Sequence, residues 1–218
     1  MNDLKIYLRP TDVIDSDNPS VIEYALKSGG RAQDDISRAC ALFTAVRDEI
    51  EYNPRAPFYR KSHYRASNVL KGKNGYCVSK ACLLCAAGRS LGIPSRLGFA
   101  DIRNHGATHD IVDLLGSNIF TFHGFVEFFL NDHWVKATPA FDRPVYGKHN
   151  IPLVTFNGLE DAIFPSHDLN GNVYVEYIKY HGSFDDLPLG ALMSSFRKIY
   201  GDARVDQWIE MFELMAQS

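Results

Sequence analysis

The chain has 218 residues, 45% of them hydrophobic and 22% charged, enough apolar material for one sizeable core and too evenly mixed for a collagen-like, disordered or coiled-coil protein. Twenty-three basic residues against 26 acidic ones leave a formal net charge of −3, and the basic residues are dispersed, which argues against a nucleic-acid partner. The opening Met1 to Pro10 has neither a basic n-region nor a long apolar run, and no segment approaches the roughly 18 to 20 apolar residues of a membrane span. The expectation is a soluble, cytoplasmic protein with no membrane partner.

No repeat, low-complexity segment or Pro/Gly/Ser linker divides the chain, so residues 1–218 are read as one domain. Alternation over Leu4 to Leu8 predicts a short strand. Asn18-Pro19 predicts the capped start of a helix that ends at Gly29-Gly30. A second helix follows the acidic pair Asp34-Asp35, with Ile36, Ala39, Cys40, Phe43, Val46 and Ile50 at helical spacing. Tyr52 to Lys73 is an irregular connection ending in the turn Gly72-Lys73-Asn74-Gly75. Val78 to Ala87 is then apolar on nearly every side, which predicts a helix buried all round.

The second half changes character. Arg96 to Ile102, Phe122 to Leu130, His133 to Thr138 and Val173 to Tyr180 are rich in Val, Ile, Phe and Tyr and predict strands, with Asn131-Asp132 as a tight hairpin turn. Asn104 to Phe120 reads as a mobile loop. Two helices, about Leu189 to Tyr200 and Val205 to Met215, close the chain. Helices first and antiparallel strands afterwards indicate an α+β fold.

Four cysteines are too few for a disulfide framework, so their use is structural, metal-binding or catalytic. Cys77 falls at the start of the buried helix, where unpaired N–H groups and the positive end of the helix dipole favour a thiolate. Gly75 allows a close approach there, and the Cys77 N–H is a candidate oxyanion donor. The bland alternative is a small buried hydrophobe. Cys82 and Cys85 belong to the body of the helix and are assigned to the core. Cys77-x4-Cys82-x2-Cys85 also matches a plant-type iron–sulfur spacing, but no cysteine follows Cys85 and the intervening residues favour regular helix. His105-x3-His109 lacks a strong third zinc ligand. Neither a metal nor a cofactor is expected.

Of eight histidines, His123 opens the long strand pattern His123-Gly124-Phe125-Val126-Glu127-Phe128-Phe129-Leu130. If Asn131-Asp132 is a two-residue turn, Leu130 pairs with His133 and the antiparallel register sets His123 opposite Ala140. Thr138 and Asp142 are then its diagonal neighbours. A base needs a partner that holds its ring, and Asp142 is the nearest carboxylate for that role.

Four segments together resemble the transglutaminase-like superfamily of cysteine enzymes. They are Gly75-Tyr76-Cys77-Val78-Ser79-Lys80-Ala81, Leu91-Gly92-Ile93-Pro94-Ser95-Arg96-Leu97-Gly98, His123-Gly124-Phe125-Val126-Glu127 and Trp134-Val135-Lys136-Ala137-Thr138-Pro139-Ala140. The resemblance covers about Leu70 to Asp142. It implies a papain-like α+β core, a nucleophile helix packed on an antiparallel β-sheet, with Cys77 as nucleophile and His123 as base. The family's third member, an aspartate, falls on Thr138, which brings no charge; Asp142 is the alternative on grounds of charge. The implied activity is cysteine-dependent acyl transfer on a peptide, protein or small amide, preferably hydrolysis through a thioester on Cys77. The alternatives are transamidation that crosslinks, or an inactive binding protein of the same fold. A thiolate paired with the His123 imidazolium is expected.

Overall fold

The computed structural model describes residues 4–217. Residues 1–3, part of the segment considered above as a possible leader, lie outside them. Leu4–Leu8 is not a strand but a 3-10 turn. Strand alternation pays only where one face is buried against a sheet; here none of the five residues is buried, and Tyr7 packs edge-on against Trp134.

Helix α1 (Pro19–Gly29) starts where the Asn18 side chain accepts the Ser20 N–H, with proline at the first helical position. Helix α2 (Asp35–Glu49) starts likewise on Asp34, which accepts the Ser37 N–H. Its fully buried side includes Ala39, Leu42, Phe43 and Val46, whereas Ile36 and Cys40 are only partly covered. The connection that follows is more ordered than its sequence suggests. Strand β1 (Glu51–Tyr52) pairs in parallel with β2 (Asn74–Gly75), and between them lie a 3-10 turn at Lys61–His63 and helix α3 (Ala66–Gly72). The start of α3 is held from a distance, since the Asp15 carboxylate accepts the Ser67 N–H at 3.1 Å and its hydroxyl at 2.6 Å.

Helix α4 (Cys77–Ser90) is buried without interruption from Val78 to Arg89, as its all-round apolar pattern requires. It lies between α1, α2 and α3 on one side and the sheet on the other. That sheet contains β3 (Ser95–Asn104), β4 (Ile119–Leu130), β5 (His133–Ala137) and β6 (Val175–Phe184), all antiparallel in the order β5-β4-β3-β6. The hairpin forms as expected. Asn131 and Asp132 both take left-handed backbone (φ 47° and 63°), the mirror-image turn that suits strand twist, and Leu130 stands opposite His133.

Helix α5 (His109–Leu115) occupies the segment read as a loop, and α6 (Arg143–His149) follows β5. Helices α7 (Leu189–Tyr200) and α8 (Asp202–Gln217) end the chain. The fold is a mixed helix and sheet architecture with the cysteine helix packed on an antiparallel sheet. Among the described residues no helix is long and apolar enough to cross a membrane.

Candidate active site

Cys77 is the first residue of α4, after an extended Tyr76 that offers no side-chain cap, so the first-turn N–H groups stay available. The N–H groups of Gly124, Val78 and Cys77 itself all favour the thiolate. Burial outweighs them and pushes the thiol up to about 11. Two glycines make the crowding at this corner possible. A Cβ at Gly75 would meet the Ser79 hydroxyl at 2.3 Å, and one at Gly124 would meet the backbone of Val78 at 2.9 Å. Strand β4 therefore runs directly against the first turn of α4.

His123 lies on β4 just past an irregularity. Phe122 has a left-handed φ of 54°, and the pairing of β3 with β4 shifts register between Ala100 and Ile102. Asp101 holds this distortion: its carboxylate accepts the Phe122 N–H at 3.1 Å, the Thr121 hydroxyl at 2.6 Å and a 2.7 Å contact from His181 Nε2. Phe122 stacks on the His181 ring at 4.3 Å. The His123 ring then stacks on Phe164 at 5.0 Å and meets Tyr177 edge-on at 6.2 Å. Its Nε2 is buried with no hydrogen-bond partner, and burial alone pulls the imidazole down to about 3. Neither Asp101 nor His181 stood out in the sequence. A lone carboxylate inside a strand pattern was the only available signal.

The predicted register holds from Leu130–His133 to Val126–Ala137 and stops there. Beyond Ala137 the chain leaves β4, because the Thr138 N–H donates to the Ala162 carbonyl at 2.9 Å. The pairing that was to set Asp142 diagonal to His123 therefore ends before it reaches either residue. Asp142 caps α6, with one oxygen accepting the Val145 N–H at 3.2 Å and the other the Tyr52 N–H at 2.8 Å. Thr138 is fully buried, and its hydroxyl, like His123 Nε2, has no hydrogen-bond partner; it influences Tyr177, the residue that also flanks His123.

Burial thus acts against both charged forms, raising the Cys77 thiol and lowering the His123 imidazole, so an ion pair between them has to form against the desolvation of each partner.

A second buried group beneath the site makes stability depend on pH. Lys80, fully buried, donates from Nζ to the carbonyls of Arg47 (3.0 Å) and Ile50 (2.5 Å) at the end of α2. Burial pulls its ammonium down from 10.5 to about 7, against support from Asp142 and Asp48. Unfolding releases Lys80 and His123 to their ordinary values of 10.5 and 6.5, so the unfolded chain binds more protons from pH 7 upward through Lys80 and between 3 and 6.5 through His123. Folding stability should rise with pH in both windows, by up to about 1.4 kcal/mol per pH unit for each group. As pH approaches the ordinary thiol value of 9, Cys40, Cys77, Cys82 and Cys85, all raised by burial, oppose this trend together. Urea unfolding at pH 7, 7.5 and 8 checks the upper window below the thiol range, and Lys80→Met should flatten it; a fall in stability from pH 7 to 8 contradicts the assignment.

Cys77 and His123 line one cavity of about 210 Å³, closed by α5, α7, α8 and the segment from Tyr52 to Phe58. A neighbouring cavity of about 230 Å³, lined by Asn104, Asp110, Lys148, His149 and Tyr174, shares Tyr52, Pro54, Ile111 and Phe120 with it. The segment after β3 thus lies beside the site, as a helix rather than a loop. Cys82 and Cys85 are enclosed within the packing of α4, and Cys40 on α2 is partly exposed. His105 Nε2 contacts Glu176 at 2.6 Å rather than pairing with His109. Among the described residues no three His, Cys, Asp or Glu side chains gather where they could hold a metal ion.

A solved structure named "Putative Cysteine Protease", from Cytophaga hutchinsonii, superposes with a TM-score of 0.51 at 18% identity, over 84% of this chain and 55% of that one. The chain thus spans about half the length of that protein, and the likeness is one of fold. A second, named "Putative Protease", from Parabacteroides distasonis, gives a TM-score of 0.41 at 12% identity over 58% of this chain and 26% of the other. Comparison with curated proteins returns no significant match. The sequence pattern of the transglutaminase-like superfamily matches residues 23–139, just over half of the chain and the stretch that carries α4 and the strand bearing His123. With the helix-on-sheet core in place around that match, the chain belongs to the transglutaminase-like superfamily.

Proposed function

We propose that the protein is a cysteine-dependent acyl-transfer enzyme that hydrolyses an amide or peptide bond through a thioester on Cys77. The observation that carries this reading is the placement of Cys77 and His123 on one cavity, with three backbone N–H groups directed to favour negative charge at the sulfur. Burial opposes charge on both partners, so the reaction is written from the neutral pair and begins with proton transfer. The Cys77 S–H proton passes to the His123 imidazole as sulfur bonds to the substrate carbonyl carbon. Oxygen takes up the displaced electron pair, and N–H groups of the first turn of α4 are its donors. The imidazolium then protonates the leaving nitrogen as the C–N bond breaks. Water attacks the thioester, His123 takes its proton and returns it to the sulfur. An amine in place of water gives transamidation; water is preferred because it needs no binding site of its own.

A second reading, a transglutaminase-fold binding protein without catalysis, is favoured by one observation: His123 Nε2 and the Thr138 hydroxyl are both buried and unpaired where the family's carboxylate would serve. Rapid mixing with excess hexanoyl p-nitrophenyl ester separates the two. Release of p-nitrophenolate, stoichiometric or continuing, supports the enzyme; none supports the binder.

The Thr138→Asp variant sharpens this further. A carboxylate there supplies the missing acceptor, raises the imidazole pKa and stabilises the imidazolium, so kcat should rise by about tenfold or more. The midpoint of the acidic limb of its pH profile should move upward. An unchanged rate and profile in a folded variant would show that position 138 does not serve His123.

A further inference from the structure

The polar groups on the wall of the Cys77 cavity are largely committed to one another. The Tyr76 hydroxyl bonds the Tyr64 hydroxyl, the Tyr200 hydroxyl accepts the Thr121 N–H at 3.1 Å, and the Thr121 hydroxyl is shared between Asp101 and Ser195 at 2.6 Å each. The one charged side chain on the wall, Arg55, is exposed at the rim, 3.5 Å from Asp110. The remainder is apolar, dominated by Phe58, Leu115, Phe120, Phe196, Trp208 and Phe212. Phe58 gathers Phe196, Trp208 and Phe212 around it, with ring centroids 5.4 to 6.1 Å apart. Phe196, Trp208 and Phe212 come from α7 and α8, beyond the residues matched by the family pattern. The superfamily pattern therefore does not specify these three residues of the wall.

Space and chemistry agree on an occupant. A charged group here would lose its hydration and find no free partner beyond the reacting pair. An apolar cavity of about 150 Å³ holds one benzene ring, so about 210 Å³ accommodates a ring with a short arm or a chain of roughly six to eight carbons. We propose that this cavity holds the acyl part of the substrate, an uncharged aliphatic or aromatic group of that size attached to the carbonyl that Cys77 attacks. The proposal rests on the acyl-transfer reading. Two sources supply such a group, a medium-chain fatty acyl or the bulky apolar residue that precedes a scissile peptide bond.

The test joins turnover to a measurement that needs none. p-Nitrophenyl esters of acetate, hexanoate, octanoate, succinate and N-acetylphenylalanine are compared by kcat/KM. In parallel, octanamide, N-acetylphenylalaninamide and succinamate compete with iodoacetamide for Cys77, read by peptide mapping. The expected result is at least a tenfold preference for hexanoyl or octanoyl over acetyl and succinyl, with octanamide slowing alkylation of Cys77 and succinamate leaving it unchanged. A stronger effect from the phenylalanine compounds identifies the peptide source, and from the octanoyl compounds the fatty acyl. Ala56→Phe, which narrows the cavity from a loop, should shift the preference toward shorter chains. Protection by an apolar amide with no turnover of any ester supports the cavity assignment and overturns the catalytic reading. Turnover that is equal for acetyl, succinyl and octanoyl, with no protection by either apolar amide, does the reverse. Absence of both turnover and protection overturns both.

Discussion

Replacing Cys77 with alanine is expected to lower kcat/KM for an activated ester by at least about 10³-fold while leaving the fold intact. No other thiol can substitute: Cys82 and Cys85 are enclosed within α4, and Cys40 lies on α2, off the cavity. Losing a nucleophile removes the covalent route, and known cases of this kind fall by about 10⁶ in kcat when a single member of the machinery is deleted. Stability should hardly move. Alanine is the best helix former, and the change removes a single sulfur that already borders the open space of the cavity, so the net change should lie within about 1 kcal/mol. Steady-state kinetics and urea unfolding of the same preparation check both halves. Retained turnover would show that the sulfur is not the nucleophile, and joint loss of activity and folding would make Cys77 a structural residue.

Gly124→Ala should damage both activity and stability although it adds one methyl group outside the reacting pair. The new Cβ would lie 2.9 Å from the Val78 Cα, a backbone atom in the first turn of α4 that cannot rotate away. Relief requires α4 and β4 to separate where Cys77 and His123 are held. Overpacking of this kind costs about 1 to 3 kcal/mol. A displacement near 1 Å between reacting groups lowers rates by about 100-fold. The Gly124 N–H that favours the thiolate moves with the strand, so alkylation of Cys77 should also slow. Gly92→Ala is not an equivalent control because its φ of 80° disfavours any side chain; Gly190→Ala, with open space around it, is. Wild-type activity in Gly124→Ala would mean that the helix-to-strand contact does not set the geometry of the site.

The readable parts of the chain were those with local causes. Asn18 and Asp34 announce α1 and α2 because an N-cap needs only its own helix. Asn131-Asp132 sets a register that holds for five residue pairs. The continuous apolar run after Cys77 can only be a central helix, and it is. What stayed illegible depends on remote partners. The start of α3 is fastened by Asp15 from about 50 residues away, and the bulge before His123 by Asp101 on the adjacent strand. Asp142 shows the same limit: register suggested a place beside the imidazole, but the chain leaves the sheet after Ala137, and the carboxylate serves Tyr52 and α6 instead. The burial that acts on the Cys77 sulfur was equally hidden. Position at a helix start favours a thiolate, and only the packing reveals that burial prevails.

The most direct measurement of the central claim is the mass of the acyl-enzyme. The wild-type chain is mixed with excess hexanoyl p-nitrophenyl ester, quenched in acid within seconds, digested and mapped by mass spectrometry. The expected product is one hexanoyl group per chain on the peptide carrying Cys77, removed by hydroxylamine and absent from Cys77→Ala. A hexanoyl group carried elsewhere, or carried equally by Cys77→Ala, contradicts a thioester at the start of α4.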